Sequence, residues 1–562
     1  MSELKKIDRT RAQESTNAIE KLYISMRHLF SRGFYKPMGV SGETLRKSLL
    51  LLRPEIYGSI AEDRIELNGL VYVIERLPEG IEECQFINLT ADEGYKNSHF
   101  AAIIPPKRRR NCYRIDKDQM NIEITRGRSE IYDILTHLTF LFIESHKIQE
   151  RVSLNEGENF TREWKHLEDV ILHQKPISEK EKEVLLVHLG NILGRTFDEV
   201  SKIYKIFSTE ENPHKFFKLI YWLGKLAIKE VFEDKKRTII FSSVLIEEIG
   251  HHIYGEIWAN DIKKVLNQYN LLKRPLHIIS ANMHSVLNSV YAKDALVKES
   301  KELKNFELFQ LLSNSDSKPL QKKVKEYAAK NGLIYVDDTS GTNIDVQIID
   351  TSKIKHPSFS LKKEPNNEES PVIIVMDYAF GEQAYETMDE LLKPYNADNQ
   401  KIYLDVKSVS IMGKAGILEG GKGDIMIPSA HIFEGTADNY PFKNELSKKD
   451  LEGFGVQVFD GSMVSVLGTS LQNKDLLKFF HDSTWNVIGL EMEGAHYQKA
   501  IQSASKIRGN ISENVKVSYA YYASDNPLET GATLASGGLG MTGVVPTYAI
   551  TQKILEQIFN QN

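Results

Sequence analysis

Cysteine is nearly absent: the 562 residues contain two, Cys84 and Cys112. Two cannot build a disulfide framework or a four-cysteine zinc site. A long apolar run is also missing. The most apolar candidate, residues 134–143, falls far short of the roughly 20 residues a membrane helix needs, and His137 and Thr139 interrupt it. Residues 1–12 are polar and carry no signal-peptide pattern. These absences predict a cytoplasmic protein that does not engage a membrane. Neither sign of charge dominates, since 71 bases against 77 acids leave a net −6. That balance argues against a surface given over to nucleic acid. Arginine is scarce in one place: residues 371–562 contain a single one, Arg508.

What is present describes a folded, multi-part chain. Hydrophobic residues at 41% and charged residues at 26% match globular averages and exclude disorder as the main state. At roughly 100–200 residues per domain, the length predicts three or four domains or two large ones. No internal repeat is evident.

Residues 1–150 read as mixed α/β. Helical spacing over 11–32 puts Ile19, Leu22, Met26 and Leu29 on one face. Residues 66–76 read as a hairpin turning at Asn68-Gly69, and 99–105 as a strand. Residues 151–235 read as helical, with a capping box at Ser178–Glu181 and an amphipathic helix over 216–232. Residues 236–360 alternate short β-branched runs (238–241, 276–279, 333–336, 346–349) with helical patterns, which predicts an α/β region. The polar, proline-punctuated stretch 355–371 is the expected domain boundary. Beyond it, apolar strands (372–376, 406–412, 424–427, 463–467, 487–490, 515–522) and a closing helix predict a doubly wound α/β/α domain over 371–562. Ligands in such sheets bind beyond the carboxyl ends of the strands.

Three strand ends there carry unusual residues: Gly413-Lys414-Ala-Gly416, Glu491-Met492-Glu493 and Ser524-Asp525. Each alone is explained by a turn or a helix cap. Together, in this order, they resemble the motifs of the nucleoside phosphorylase superfamily, and within it the AMP nucleosidases. Ser524-Asp-Asn-Pro-Leu528, Ala430-His431 and the first turn (Tyr378–Gly381, with Thr387 in the helix beyond) add to that similarity. The resemblance spans about 370–562, a third of the chain.

It implies an N-glycosidase acting on a purine nucleotide or nucleoside, AMP-like, without metal or organic cofactor, in a homo-oligomer. By motif match, Asp525 is the acid that protonates the departing base, oriented by Ser524. Glu493 holds the ribose hydroxyls, Met492 packs on the sugar, and Glu491 is a weaker candidate. The chemistry suits these residue types. Cleavage passes through an oxocarbenium-like ribose, a purine leaves only when a ring nitrogen is protonated, and a carboxylate grips two hydroxyls more tightly as positive charge develops on the sugar. Gly381, Thr387, Gly413, Lys414, Gly416, Thr469 and Ser470 are further candidates for contacting the substrate, and Glu382 or Gln383 for activating water. The AMP nucleosidases usually show histidine where Lys414 stands. Scarce arginine, the residue best suited to hold inorganic phosphate, favours water as nucleophile. A phosphorylase with a shared phosphate site and a nucleotide sensor with little catalysis are the alternatives.

Four other patterns invite chemistry. Glu247-Glu-Ile-Gly-His251-His252 spaces acid and imidazole four apart, as for a metal on one helix face. Ser280–Ser285 opens a helix after a strand, a place suited to an anion. Lys107–Arg110 with Arg114 is a basic loop suited to phosphate sensing in a regulatory N-terminal region. The glycine run 537–543 reads as a loop or lid over the site.

Overall fold

In the computed structural model, residues 2–154, 159–173, 177–355, 370–397, 400–436, 438–530 and 539–560 are described, with the backbone alone for 2–10, 305 and 530. The chain forms two compact units. One comprises residues 1–125, 130–251 and 470–473; the other comprises 126–129, 252–469 and 474–562.

The first unit is built on a six-stranded sheet in the order 34–35, 238–241, 86–90, 119–123, 112–114, 102–103. The expected helix over 11–32 is part of Ser2–Arg32, and Ile19, Leu22, Met26 and Leu29 are buried. Ser178 caps Glu179–Leu193, and Lys215–Phe232 is helical, as its spacing predicts. The expected hairpin at 66–76 is instead the helix Leu67–Ile74. Its Asn-Gly pair lies in the first turn, where Glu66 accepts from the amides of Asn68 (3.1 Å) and Gly69 (3.4 Å). Gly69 is there for space, because a β-carbon would stand 2.7 Å from the Phe140 ring. Only Ala102–Ile103 of the strand expected at 99–105 forms. Strand Thr238–Phe241 pairs within this sheet and does not open the α/β region expected at 236.

The basic loop is not a free anion site. Arg108 pairs with Asp133 at 2.8 Å, and Arg110 contacts Asp133 at 2.9 Å and Glu130 at 3.3 Å. Arg114 reaches Glu83 at 3.0 Å. Lys107 and Arg109 alone of the run stay exposed. Nor do Glu247/His251 and Glu248/His252 share one helix. The helix Ser243–Gly250 ends before His251, and His252 adopts φ +57°.

In the second unit the nine longest strands are β1 (Leu276–Ser280), β2 (Leu333–Val336), β3 (Val346–Asp350), β4 (Val372–Met376), β5 (Val406–Ile417), β6 (Ile425–Phe433), β7 (Val458–Ser465), β8 (Val487–Glu491) and β9 (Lys516–Asp525). Central β1 runs parallel to β4 and β5 on either side, and β3 and β2 extend the sheet beyond β4. At the other end β5, β9, β6, β7 and β8 pair in turn and return to β5, closing a ring. The boundary expected at 355–371 therefore divides no domain. Residues 356–369 lie outside the described residues, but β4 beyond them pairs with β3 and β1 before them. An apolar strand buried on both faces takes its ladder partners from wherever the chain supplies them.

Side-chain alternation sets two faces. Ile278, Ile374 and Ile411 join one core beneath helices Ile253–Gln268, Gln383–Leu391 and Gly494–Gln502. Ile279, Ile373 and Val375 join the other beneath Met283–Ala295 and Val544–Asn560. The architecture is the α/β/α sandwich that the sequence predicts, begun about a hundred residues earlier.

The ion-pair network of the first unit supplies a test. Burial alone would raise the Asp133 carboxyl, but His137 and Arg108 outweigh it and hold the group well below the usual carboxylate range. A depressed carboxyl adds stability above its unfolded pKa and loses it as pH falls through the folded one. Asp133→Asn, which removes the carboxylate that Arg108 and Arg110 share, is expected to cost about 3–5 kcal/mol. It should also flatten the acid limb of stability. Urea unfolding at several pH values measures both.

Candidate functional site

The site is built where β5, β8 and β9 meet. Gly416 of β5 is the register partner of Leu490 on β8 and of Asp525 on β9. One residue thus holds the Glu491–Glu493 turn and the Ser524-Asp525 pair at the same strand end. Gly413 and Gly416 do not form the expected turn: β5 runs through both, with a shift in its pairing with β9 between Ala415 and Gly416. Gly413 faces the Tyr378 ring, where a β-carbon would lie at 3.5 Å.

Asp525 ends β9 and is nearly buried. The Ser524 hydroxyl sits between the Ala415 carbonyl (3.0 Å) and Asp525 Oδ1. That fixes the carboxyl and leaves Oδ2 buried with no partner among the described residues. Burial pushes the Asp525 carboxyl above its ordinary range, against the opposing effects of Ser524, Lys414 and Lys422. A carboxyl that is held in place, raised in pKa and open at one oxygen is the form a general acid needs.

Glu491 and Glu493 divide their tasks. Glu491 is buried, takes the Ser465 hydroxyl, and accepts the amides of Glu493 and Gly494 at the start of the helix Gly494–Gln502. Its oxygens are committed to the protein, so it builds the turn. Glu493 keeps some surface, although protein surrounds its carboxyl. Burial raises it to about 7, against the amides of Gly381 and Met492 and the charge of Arg126. The Gly381 amide donates to Glu493 Oε1 at 2.9 Å. Gly381 sits at φ +56°, and a side chain there would strike Ser129. The Met492 methyl lies 3.9 Å from the same point.

The remaining candidates separate. Lys414 is exposed at the end of β5 and lies close enough to Asp525 to influence it. Thr387 is buried and donates to the Gln383 carbonyl at 2.8 Å, within its own helix. Gln383 is also spent, holding the Thr342 carbonyl (2.9 Å) and the Phe380 amide (3.0 Å). Glu382 pairs with Arg128 at 3.1 Å through Oε1 and keeps a buried Oε2 without a partner among the described residues. Thr469 is partly exposed in a short 3-10 turn, whereas Ser470 is buried, belongs to the first unit and hydrogen-bonds Tyr57. Ser470 thus leaves the site. His431 is buried among Phe442, Tyr519 and Tyr521 and is a core residue. Gly537 and Gly538 lie outside the described residues, and Gly540–Gly543 form a 3-10 turn before the last helix.

Sequence reading missed two groups. Arg126–Ser129 belong to this unit although they lie far upstream of the motif they join, Ser129 being 253 residues before Glu382. Arg126 stands 4.8 Å over the Phe380 ring, and the Ser129 hydroxyl accepts the Glu382 amide at 2.8 Å. The only local signal is Gly127 at φ +73°, which no motif marks. The second is Glu434 beyond β6. It is buried, takes the Leu467 amide at 3.4 Å, and is raised to about 8 by burial.

Several solved structures are similar to part of the chain. The 5′-methylthioadenosine/S-adenosyl homocysteine nucleosidase of Campylobacter jejuni is 9% identical, covering 51% of this chain and 99% of its own, with a TM-score of 0.30. The futalosine hydrolase of Helicobacter pylori is 12% identical over 50% and 99%, with a TM-score of 0.29. Isoform 2 of uridine phosphorylase from Schistosoma mansoni is 14% identical over 53% and 92%, with a TM-score of 0.30. No curated protein matches the sequence. The model of the family of unknown function DUF6909 matches residues 43–307 and 291–560, nearly the whole chain, and the protein belongs to that family.

Proposed function

We propose that the second unit cleaves the N-glycosidic bond of a purine nucleoside or nucleotide, AMP-like, with water as nucleophile. The observation that carries this reading is the pairing of Gly416 with both Leu490 and Asp525. It brings the Asp525 carboxyl, with one oxygen unpartnered among the described residues, and the Glu493 carboxyl to one strand end.

In this reading Asp525 gives its proton to the base as the C1′–N bond breaks and its electron pair leaves with the base. Glu493 holds the ribose hydroxyls and gains strength as the sugar becomes cationic. Glu382 Oε2 takes a proton from the water that attacks C1′. The products are free base and ribose or ribose phosphate. The first unit serves as the regulatory region in a homo-oligomer, a role that rests on arrangement alone.

One observation favours phosphorolysis as a second reading. The scarcity of arginine in 371–562 does not describe the unit, because Arg126 and Arg128 join it from upstream. Arg508 pairs with Asp389 and Arg128 with Glu382; Arg126 stands over the Phe380 ring, and its charge is felt at Glu493.

Incubation with AMP, adenosine, inosine and methylthioadenosine, with and without phosphate, decides between the readings. Base release without phosphate is expected; strict phosphate dependence assigns phosphorolysis. Asp525→Asn should lower kcat by about 10²–10⁴-fold while nucleotide binding persists, and full activity in that variant removes Asp525 from the mechanism. The pH profile gives a separate check. Glu493 must be ionised, so kcat/KM should rise through about pH 7. Arg126 favours the ionised form, so Arg126→Met should move that limb to higher pH. A limb that stays in place means Glu493 does not sense Arg126.

A further inference from the structure

A cavity of about 370 Å³ lies beside β5 and β9 in the second unit, against the helices that open at Met283 and Val544. Its wall includes Asn282, His284, Lys325, Lys414, Tyr522 and Tyr548. Among the described residues no aspartate or glutamate lines it. Two ammonium groups and an imidazole therefore face a space with no internal counter-charge. Neither lysine has an ion-pair partner among the described residues, although acids and bases are nearly equal in number over the chain.

The surroundings are built to stay open. Asn282 caps the helix by accepting the His284 amide at 3.0 Å, so its side chain is fixed at the rim. Tyr548 stacks on Phe309 with centroids 4.0 Å apart and takes Asn288 Nδ2 on its hydroxyl at 2.7 Å. Tyr522 lies 3.4 Å from the Tyr378 hydroxyl. Both rings are held as walls. The helix Met283–Ala295 points its amino end toward the same space, a direction that favours an anion. The volume lies within the range of small-ligand sites.

We infer that this cavity binds a phosphoryl group and is joined to the Asp525 end of the site through Lys414, which serves both. The inference deepens the proposed function and rests on it for the identity of the nucleoside part. Two sources share the chemistry, a phosphate ester on the substrate and free inorganic phosphate. An ester makes the substrate a nucleotide, and free phosphate makes the cavity a separate anion site. Partial burial and then the charge of Lys325 hold His284 below its ordinary range, so at neutral pH it is a neutral hydrogen-bonding group beside the two cations.

The test uses the full chain and two lysines with exposed side chains. Calorimetric titration of the wild type with AMP, adenosine and inorganic phosphate is compared with Lys325→Met and with the Lys325→Met/Lys414→Met pair. The cavity assignment expects AMP or phosphate to bind, and the pair to weaken that binding at least tenfold. For an ester, phosphate competes with AMP, and Lys325→Met lowers the ratio of kcat/KM for AMP to that for adenosine at least tenfold. For free phosphate, phosphate affinity falls with the lysines while that ratio stays near its wild-type value. Failure of both anions to bind the wild type overturns the inference, and so does undiminished binding in the double variant. Lysine-dependent binding without base release from any substrate instead sinks the N-glycosidase reading and leaves the phosphoryl site standing.

Discussion

The pairing at Gly416 is the constraint on which the candidate site depends. A strand normally offers one partner at each edge, and at this residue β5 meets β8 on one side and β9 on the other. Closure of the five-strand ring makes that meeting obligatory, because a ring leaves no free edge on which register can slip. The acid of one motif and the carboxylates of another are therefore placed by backbone hydrogen bonds rather than by side-chain packing. A reacting group set in this way keeps its geometry when a ligand arrives.

The second requirement is electrostatic. Glu386, Glu491 and Glu493 are each raised to about 7 or 8, in each case by burial first. Such groups are disfavoured as anions until a positive charge comes near. Glu491 spends its oxygens on Ser465 and on two amides, and so shapes the turn that presents Glu493. Beside them Glu382 is paired with Arg128.

Much of this was legible in the sequence, for a physical reason. The strands beyond 371 are buried on both faces, so they read as continuous apolar runs, and the motifs sit directly at their ends. What was not legible is long-range. Nothing in residues 276–280 says that they pair with 372–376 and 406–411, because a parallel ladder is indifferent to sequence separation. Asn68-Gly69 carries the signal of a hairpin, and a capping acid, Glu66, two residues upstream overrides it. Ser470 and Thr469 are neighbours in the chain but belong to different units. The triple-arginine loop reads as a phosphate-sensing loop because Asp133 and Glu130, which bind it, lie in the helix Gly127–Val152 further along the chain.

Arginine shows why the unit of counting matters. Counted along 371–562, its near absence argues for water as nucleophile; counted over the compact unit, Arg126 stands beside the carboxyl that would hold the sugar. A cation there has two opposed effects. It favours ionised Glu493, which helps an oxocarbenium form, yet its own charge repels that cation. The net effect is favourable only if an anion lies between them. That anion is Glu493 itself, whose carboxyl is raised to about 7 and so responds to small changes of charge around it. Under the proposed function, Arg126 therefore acts through Glu493, adding to the Gly381 and Met492 amides in favouring the ionised form of the proposed ribose anchor.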